Sequence, residues 1–217
     1  MNSPDFSYPA HYTQPEGAQF YFSGHIKTWL NQMPDMLGRP NVTLEIGALF
    51  GGASVFMLET YCKAAGSHHY ICDINTNDAI ENNIKPYADK CTYCLGKSED
   101  ILRTLTYEGK TKEFVDLAYI DGNHMAKFVL EDAMNCFYLV KNGGYIVFDD
   151  YGWGRDGPEH TRPATGIEAF QHAYQKHLEV IDVGWQVIMK KTGYELNPDE
   201  KNSNYYTGWK HTTKTAV

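Results

Sequence analysis

The sequence has no apolar run that approaches the roughly 18 residues needed to cross a lipid bilayer. It has five cysteines in 217 residues, an odd number scattered along the chain, so a disulfide framework is not expected. It is also short of basic residues, because 19 lysines and arginines stand against 27 aspartates and glutamates, a formal net charge of −8. Domains that bind nucleic-acid phosphates are normally basic, so this balance disfavours an RNA or DNA partner.

The amino-terminal segment 1–17 lacks the basic stretch and following apolar stretch that mark a secretory signal. Internal repeats and low-complexity tracts are missing as well. What the chain has is a length suited to one domain, with 42% hydrophobic and 21% charged residues, enough to bury a core. We therefore predict a single folded domain in the cytoplasm with no membrane partner.

From Asn41 onwards, short apolar segments alternate with segments of helical periodicity. The predicted strands are Val42–Gly47, His69–Asp73, Cys91–Leu95, Phe114–Ile120 and Tyr145–Phe148, followed by a hairpin of Leu178–Val183 and Gln186–Lys190. Such alternation is typical of an α/β fold, a mostly parallel sheet with helices on both faces. In such sheets, ligands bind outside the carboxyl ends of the strands.

The chain divides into three parts on this pattern. Residues 1–40 are predicted to form an arm and a short helix, from Gly24 to Met33, which could close over a bound ligand. Residues 41–193 hold the sheet, and residues 194–217 are expected to form a surface tail.

Several helix ends can be predicted from local signals. Ser98 is expected to cap the helix after the third strand. The segment Asn142–Gly144 is expected to end a long helix that carries Met125 to Val140 on one face. Thr165 and Glu168, three residues apart, are typical of a capping box at the start of a later helix.

A glycine cluster follows the first predicted strand, within the segment Glu45–Ser54. Glycines here let the backbone approach a ligand closely. The spacing from Gly47 to Gly51 is G-x-x-x-G, and it differs from the G-x-G-x-x-G of dinucleotide-binding folds, which disfavours a nicotinamide oxidoreductase. Asp73 ends the next strand, about 20 residues further on, where a carboxylate can bind both hydroxyls of a ribose. The alternative is that the glycines only shape the turn and that Asp73 caps the following loop.

Three aspartates, Asp121, Asp149 and Asp150, follow the fourth and fifth predicted strands. If those strands are neighbours, the carboxylates repel one another by about 4 kcal/mol per pair at about 4 Å and an effective dielectric of about 20. Protonation of one carboxylate relieves this repulsion, and so does a hard divalent cation such as Mg²⁺, Mn²⁺ or Ca²⁺. The alternative is that Asp149 or Asp150 caps its loop and faces solvent.

The run from Leu44 to Ser54 resembles motif I of the class I S-adenosylmethionine-dependent methyltransferases. The resemblance implies a doubly wound, Rossmann-like, seven-stranded sheet in the order 3-2-1-4-5-7-6, with its last strand antiparallel. It also implies that the glycine loop binds the amino-acid end of S-adenosylmethionine. The acid at the end of the second strand would bind the ribose, and the turn after the third strand would contact the adenine. The corresponding residues here are Glu45, Gly47, Gly51, Ser54, Asp73, Ile74, Lys97, Ser98, Glu99 and Asp121.

The segments Tyr119–His124 and Gly143–Tyr151 resemble the branch of metal-dependent O-methyltransferases that act on sugars and catechols. The resemblance implies a Mg²⁺ held by Asp121, Asp149 and Asp150, with the acceptor oxygens bound to it. Sugar-modifying members carry an aspartate at the position of Asn123, and catechol-type members carry a lysine at the position of His124.

That aspartate and that lysine are the familiar candidates for the general base, and this chain has neither. His124 is therefore the candidate general base, with Asp121 beside it in the catalytic site. The alternative is that His124 bonds to its own loop or supports a metal ligand. The loop after the aspartates supplies candidates for the acceptor pocket, namely Tyr151, Trp153 and His160, unless it is a solvated lid.

Two other signals are interpreted as structural. Cys91 and Cys94 lie three apart on a strand, so they point to opposite faces and would share a metal poorly. His68 and His69 open a strand and are predicted to lie at the surface.

Together these patterns and resemblances predict a methyltransferase that uses S-adenosylmethionine, and metal-assisted O-methylation of a small-molecule hydroxyl is the favoured reaction. One alternative is a metal-independent enzyme that methylates nitrogen or a carboxylate, and another is a non-catalytic module that binds S-adenosylmethionine. The sequence is also compatible with a homo-oligomer.

Overall fold

The computed structural model describes residues 5–107 and 113–193. Its strands are β1 Val42–Ile46, β2 His68–Asp73, β3 Cys91–Leu95, β4 Val115–Ile120, β5 Val140–Phe148, β6 Leu178–Val183 and β7 Val187–Lys191. Its α-helices are α1 Ile26–Gln32, α2 Gly52–Thr60, α3 Asp78–Ile84, α4 Ser98–Tyr107, α5 Ala126–Leu139 and α6 Pro163–Tyr174. The predicted tail 194–217 lies outside the described residues.

The strands form one sheet in the order β3-β2-β1-β4-β5-β7-β6, which confirms the predicted topology. The pairs from β3 to β5 are parallel, whereas β7 runs antiparallel to both β5 and β6. In register, Ile46 faces Ile120 and Ile120 faces Phe148. The carboxyl ends of β1, β4 and β5 therefore reach the same edge of the sheet.

The central strand β4 is buried along its whole length, as expected for a parallel strand covered on both faces. One face packs in a cluster with Phe137 of α5 and Phe170 of α6. The other face packs in a second cluster with Trp29 of α1 and Phe56 of α2. We call this second group, which also contains Tyr61, the Trp29 cluster. Among the described residues, no helix has both the length and the apolar character that a membrane span requires.

The prediction that Asn142–Gly144 ends a helix is wrong. Helix α5 ends at Leu139, and β5 begins at Val140, where it pairs with Val115 of β4. The two glycines lie inside β5 at an irregularity of the register, where Gly143 has a φ of 83°. A Cβ on Gly144 would lie 2.8 Å from the carbonyl oxygen of Asp116, so close approach of the strands explains that glycine.

Two predicted caps also differ in the structure. Helix α6 begins at Pro163, a residue suited to the first helical position, and no side-chain cap bond is made at its start. Glu168 instead accepts a hydrogen bond from the Tyr151 hydroxyl, at 2.8 Å. Ser98 is the first residue of α4 rather than the residue that precedes it.

The prediction that His69 lies at the surface is wrong as well. Its side chain is fully buried, because β2 lies between β1 and β3 and is covered on both faces. The imidazole Nδ1 lies 2.7 Å from the Thr43 hydroxyl.

Candidate active site

The candidate site lies where β1, β4 and β5 end side by side. The amide of Asp121 donates to the carbonyl of Ile46 at 2.8 Å, and the amide of Asp149 donates to the carbonyl of Ile120 at 3.0 Å. These bonds continue the strand pairing beyond the strands themselves. The sheet therefore brings the glycine loop and the predicted aspartates together.

A cleft of about 470 Å³, partly open to solvent, lies at this edge of the sheet. Its inner wall comes from the ends of β1, β4 and β5 and from the glycine loop, and its outer wall comes from the amino-terminal arm. The lining residues include Glu45, Gly47, Gly52, Tyr119, Asp121 and Asp149 on the inner side and Tyr8, Tyr12 and Phe20 on the outer side. Residues 1–40 were predicted to be able to close over a ligand, but the sequence did not indicate that Tyr8, Tyr12 and Phe20 would line the cleft.

The conformation of the glycine loop is fixed by contacts within the chain. Gly47 has a φ of 82°, and a Cβ there would lie 2.1 Å from the carbonyl oxygen of Asp121. Any side chain at this position would push β1 away from the end of β4. Gly51, with a φ of 80°, precedes α2, and a Cβ there would meet the end of the Ile80 side chain. Both glycines are therefore required by the fold itself.

Glu45 is a buried carboxylate at the back of the cleft. Its Oε2 accepts a hydrogen bond from the Ser54 hydroxyl and lies 3.3 Å from Nε2 of His69. His69 is in turn held by Thr43. This buried series of hydrogen bonds fixes the Glu45 side chain. The role of His69 could have been predicted only if β2 had been recognised as a strand buried on both faces.

The residues predicted to contact the ribose and the adenine lie beside the cleft rather than in its lining. Asp73 Oδ2 accepts from the amide of Ala48 at 2.8 Å, and its Oδ1 accepts from the amide of Asn75 at 3.0 Å. Asp73 thus ties the glycine loop to the end of β2, and its bond to Asn75 is the loop cap that the alternative interpretation described. Ile74 is exposed, and the segment 97–99 lies at the turn into α4, where Ser98 bonds to the buried Asp132.

An acidic pocket adjoins the cleft. Ligand atoms from Asp121, His124 and Asp150 all lie within 4.8 Å of one another. Asp149 also lines this pocket, and its Oδ2 accepts hydrogen bonds from the Tyr119 hydroxyl and from Nε2 of Gln186, the latter at 2.9 Å. The three predicted aspartates are therefore brought together.

Within the described part of the chain, no lysine or arginine forms an ion pair with the carboxylates of this pocket. Across residues 5–107 and 113–193, the basic group that pairs with these aspartates is His124, whose Nε2 lies 2.5 Å from Oδ2 of Asp150. Desolvation and the charges of Asp149 and Asp150 raise the pKa of Asp121 well above its usual range. The hydrogen bond to Asp150 raises the pKa of His124. The pocket would thus gain from a bound cation.

Two half-exposed tryptophans flank the acidic pocket. The ring of Trp153 lies 4.9 Å from the ring of His124, and the indole N–H of Trp185 donates to Oδ1 of Asp150 at 3.2 Å. Tyr151 lies on the same loop as Trp153. His160 is exposed, and no described contact joins it to the aspartates.

Sequence reasoning missed three residues of the site: Tyr119, Trp185 and Gln186. Tyr119 lies two residues before Asp121, so strand alternation already indicated that both side chains share a face. Antiparallel pairing of Phe148 with Val187 brings the hairpin turn beside the end of β5. That register could not be read from the sequence.

A family described as a methyltransferase domain matches residues 44–151, about half of the chain. No curated protein matches the chain in sequence. The fold is similar to that of an O-methyltransferase from Bacillus cereus in complex with SAH, with a TM-score of 0.61 and 17% identity over 85% of this chain and 84% of that chain. It is also similar to cofactor-bound Rv0187 from MTB, with a TM-score of 0.62 and 16% identity over 83% of this chain and 84% of that chain.

A further similar structure is the MycE methyltransferase from the mycinamycin biosynthetic pathway, in complex with Mg, SAH and mycinamycin VI. Its TM-score is 0.60 at 16% identity, over 82% of this chain and 52% of that chain. The chain therefore spans about half the length of MycE. At these identities, the similarity shows the fold.

Proposed function

Because the chain belongs to the class I S-adenosylmethionine-dependent methyltransferases, we propose that it methylates a hydroxyl oxygen of a small molecule with the help of a divalent cation. The observation that carries this proposal is a shared wall, since Asp121 and Asp149 line both the cleft and the acidic pocket. A methyl donor in the cleft and an acceptor oxygen at the aspartates would meet at this wall.

The cleft suits the methyl donor on chemical grounds. The Glu45 carboxylate can bind the ammonium group at the methionine end, and the backbone at Gly47 can pass close to it. Asp73, Ile74 and the segment 97–99 are the proposed contacts to the ribose and adenine. They border the ends of β2 and β3, next to the described cleft. S-adenosylmethionine would supply an electrophilic methyl group on a sulfonium sulfur.

The acidic pocket suits a hard divalent cation. Asp121 and Asp150 offer carboxylate oxygens close together, and Asp149 lines the same pocket; oxygen is the donor type that Mg²⁺ and Mn²⁺ prefer, and no lysine or arginine among the described residues pairs with these aspartates. We therefore assign these three aspartates to a cation site. A bound cation would lower the pKa of the acceptor hydroxyl.

The transfer itself needs little covalent help from the chain. The acceptor oxygen would form a bond to the methyl carbon while the carbon–sulfur bond breaks, and the electron pair would stay on the sulfur. His124 would accept the hydroxyl proton; because its Nε2 lies 2.5 Å from Oδ2 of Asp150 and donates to that carboxylate, this contact has to open before the nitrogen can act as the base. The chief contribution of the fold is to hold the donor and the acceptor at reacting distance.

The tryptophans beside the pocket are the proposed walls of the acceptor site. Trp153 and Trp185 offer two apolar surfaces next to the aspartates, with Tyr151 close by and His160 further along the loop. Such walls suit a small ring that carries a hydroxyl group. The net charge of −8 supports a small-molecule acceptor rather than a nucleic acid.

The proposal can be tested with donor binding and with methyl transfer. Calorimetry should detect binding of S-adenosylmethionine, and labelled donor should transfer its methyl group to a member of a panel of phenols and sugar alcohols. EDTA should stop the transfer, and Mg²⁺ or Mn²⁺ should restore it. Failure to bind millimolar donor would favour a non-catalytic role, and transfer unaffected by EDTA would favour the metal-independent alternative.

A further inference from the structure

We propose that Tyr119 and Gln186 are positioning residues, which hold the Asp149 carboxylate in the orientation that the cation site requires. This inference rests on the proposed function, since it takes Asp149 as part of that site. Neither residue belongs to the glycine loop or to the aspartate cluster. Tyr119 belongs to the Trp29 cluster and Gln186 bonds to Trp29, so both reach Asp149 from the side of the sheet that this cluster covers.

The contacts converge on one oxygen of Asp149. Oδ2 accepts a hydrogen bond from the Tyr119 hydroxyl and another from Nε2 of Gln186, at 2.9 Å. The Tyr119 hydroxyl also lies 3.1 Å from Oδ2 of Asp121, so it bridges the two carboxylates. Two aspartates from different strands are thus joined through one phenol.

The orientation of the Gln186 amide follows from its third contact. Its Oε1 lies 2.6 Å from Nε1 of Trp29, and an indole N–H can only donate a hydrogen bond. The carbonyl end of the amide must therefore face Trp29, which turns the NH₂ end towards Asp149 and towards the Tyr119 oxygen, at 3.3 Å. The Tyr119 oxygen accepts a hydrogen bond from the Gln186 amide. The single proton of the Tyr119 hydroxyl is therefore not needed for Gln186 and can be donated to a carboxylate.

The remaining oxygen of Asp149 is partly engaged. Oδ1 accepts from the amide of Asp150 at 2.7 Å. A carboxylate has about four lone-pair directions, and the donors above occupy three of them. Asp149 is therefore left with one direction, on Oδ1, and would offer a cation a single oxygen.

A second buried tyrosine indicates that this arrangement is not required for packing alone. Tyr61 also belongs to the Trp29 cluster, stacks on Trp29 with ring centroids 6.4 Å apart and is fully buried. Its hydroxyl has no hydrogen-bond partner among the described residues. A phenol in this cluster thus needs no partner to be accommodated, whereas the Tyr119 hydroxyl contacts two carboxylates of the site.

The test uses three variants of the full chain: Tyr119→Phe, Gln186→Met and, as the matched control, Tyr61→Phe. Mn²⁺ is titrated into each by calorimetry without any methyl donor, so the readout does not depend on activity. Loss of an outer-shell partner typically weakens metal binding by about 10–100-fold. We expect that range for Tyr119→Phe and Gln186→Met, and a change of less than about twofold for Tyr61→Phe. Turnover of Gln186→Met should fall in kcat with the KM for S-adenosylmethionine unchanged, because Gln186 does not line the cleft.

The outcomes separate the two proposals. If the wild-type protein binds Mn²⁺ and Tyr119→Phe binds it equally well, the positioning role is wrong and the proposed function stands. If the wild-type protein binds no Mn²⁺, the cation-assisted function is overturned together with the positioning role. If Gln186→Met does not fold, as judged by thermal unfolding, the comparison of Tyr119→Phe with Tyr61→Phe decides alone. Equal weakening in those two variants would also contradict the proposal.

Discussion

His124 has an imidazole between an aspartate and an exposed tryptophan, and its chemistry depends on its protonation. The bond to Asp150 raises its pKa, so the neutral form that can accept a proton becomes abundant only at higher pH. If His124 is the general base, His124→Asn should lower kcat by about 10²–10⁴-fold and leave the Mn²⁺ affinity within a few-fold of the wild type. Steady-state kinetics and calorimetry measure both quantities. Loss of Mn²⁺ binding with the variant would instead make His124 a ligand.

Asp132 is a buried acid outside the site, only 2% exposed, on α5. Burial raises its pKa to about 7, although Ser98 donates a hydrogen bond to it. Below the pKa of about 3.9 that aspartate has in an unfolded chain, both states are protonated. Between that value and about 7, the unfolded state loses its proton first, so the contribution of Asp132 to stability falls as pH rises.

Asp132→Asn should remove this dependence, because an amide keeps an acceptor for Ser98 and does not ionise. Denaturant unfolding at pH 5 and pH 8 should show the wild type losing about 2 kcal/mol more than the variant over that interval. The exposed Asp89 provides the control, since Asp89→Asn should change neither value. An equal pH dependence in the wild type and Asp132→Asn would show that Asp132 is not responsible.

At the scale of the elements, the ends of β5 and α5 show why some boundaries were predictable and others were not. The strand Cys91–Leu95 was predicted with its observed bounds, because it is a short apolar segment between clear turn signals. The start of β5 was missed, because the glycines at 143 and 144 are typical of a helix end. Pairing with β4 overrides that local preference, and pairing is a property of the sheet rather than of the segment.

Lys191, in β7, holds the end of α5 in place. Its Nζ lies 2.9 Å from the carbonyl oxygens of Phe137 and Val140 and 2.9 Å from a carboxylate oxygen of Glu113. Lys191→Met should leave those buried carbonyls without this donor and lower the free energy of unfolding by about 1–3 kcal/mol. Urea unfolding measures the change. Lys127→Met, at an exposed helical position, should stay within about 0.5 kcal/mol, and a similar small change for Lys191→Met would contradict this role.

At the scale of the molecule, the site is assembled from segments that are distant in the chain. Glu45, Gly47 and the three aspartates were predicted from strand ends, because parallel strands bring their carboxyl ends to one edge. The arm tyrosines Tyr8 and Tyr12 and the hairpin residue Gln186 were not predicted. Their positions depend on long-range packing and on the β5–β7 register, neither of which leaves a local pattern.

The central claim is that a methyl donor in the cleft lies next to a cation held by the aspartates. Nuclear magnetic resonance of bound S-adenosylmethionine tests it directly, because Mn²⁺ broadens the signals of nearby protons. We predict strong broadening of the sulfonium methyl signal when Mn²⁺ is added to the wild-type protein, and little broadening with Asp121→Asn at the same donor occupancy. A methyl signal that stays sharp while both donor and Mn²⁺ are bound to the wild-type protein would contradict the account.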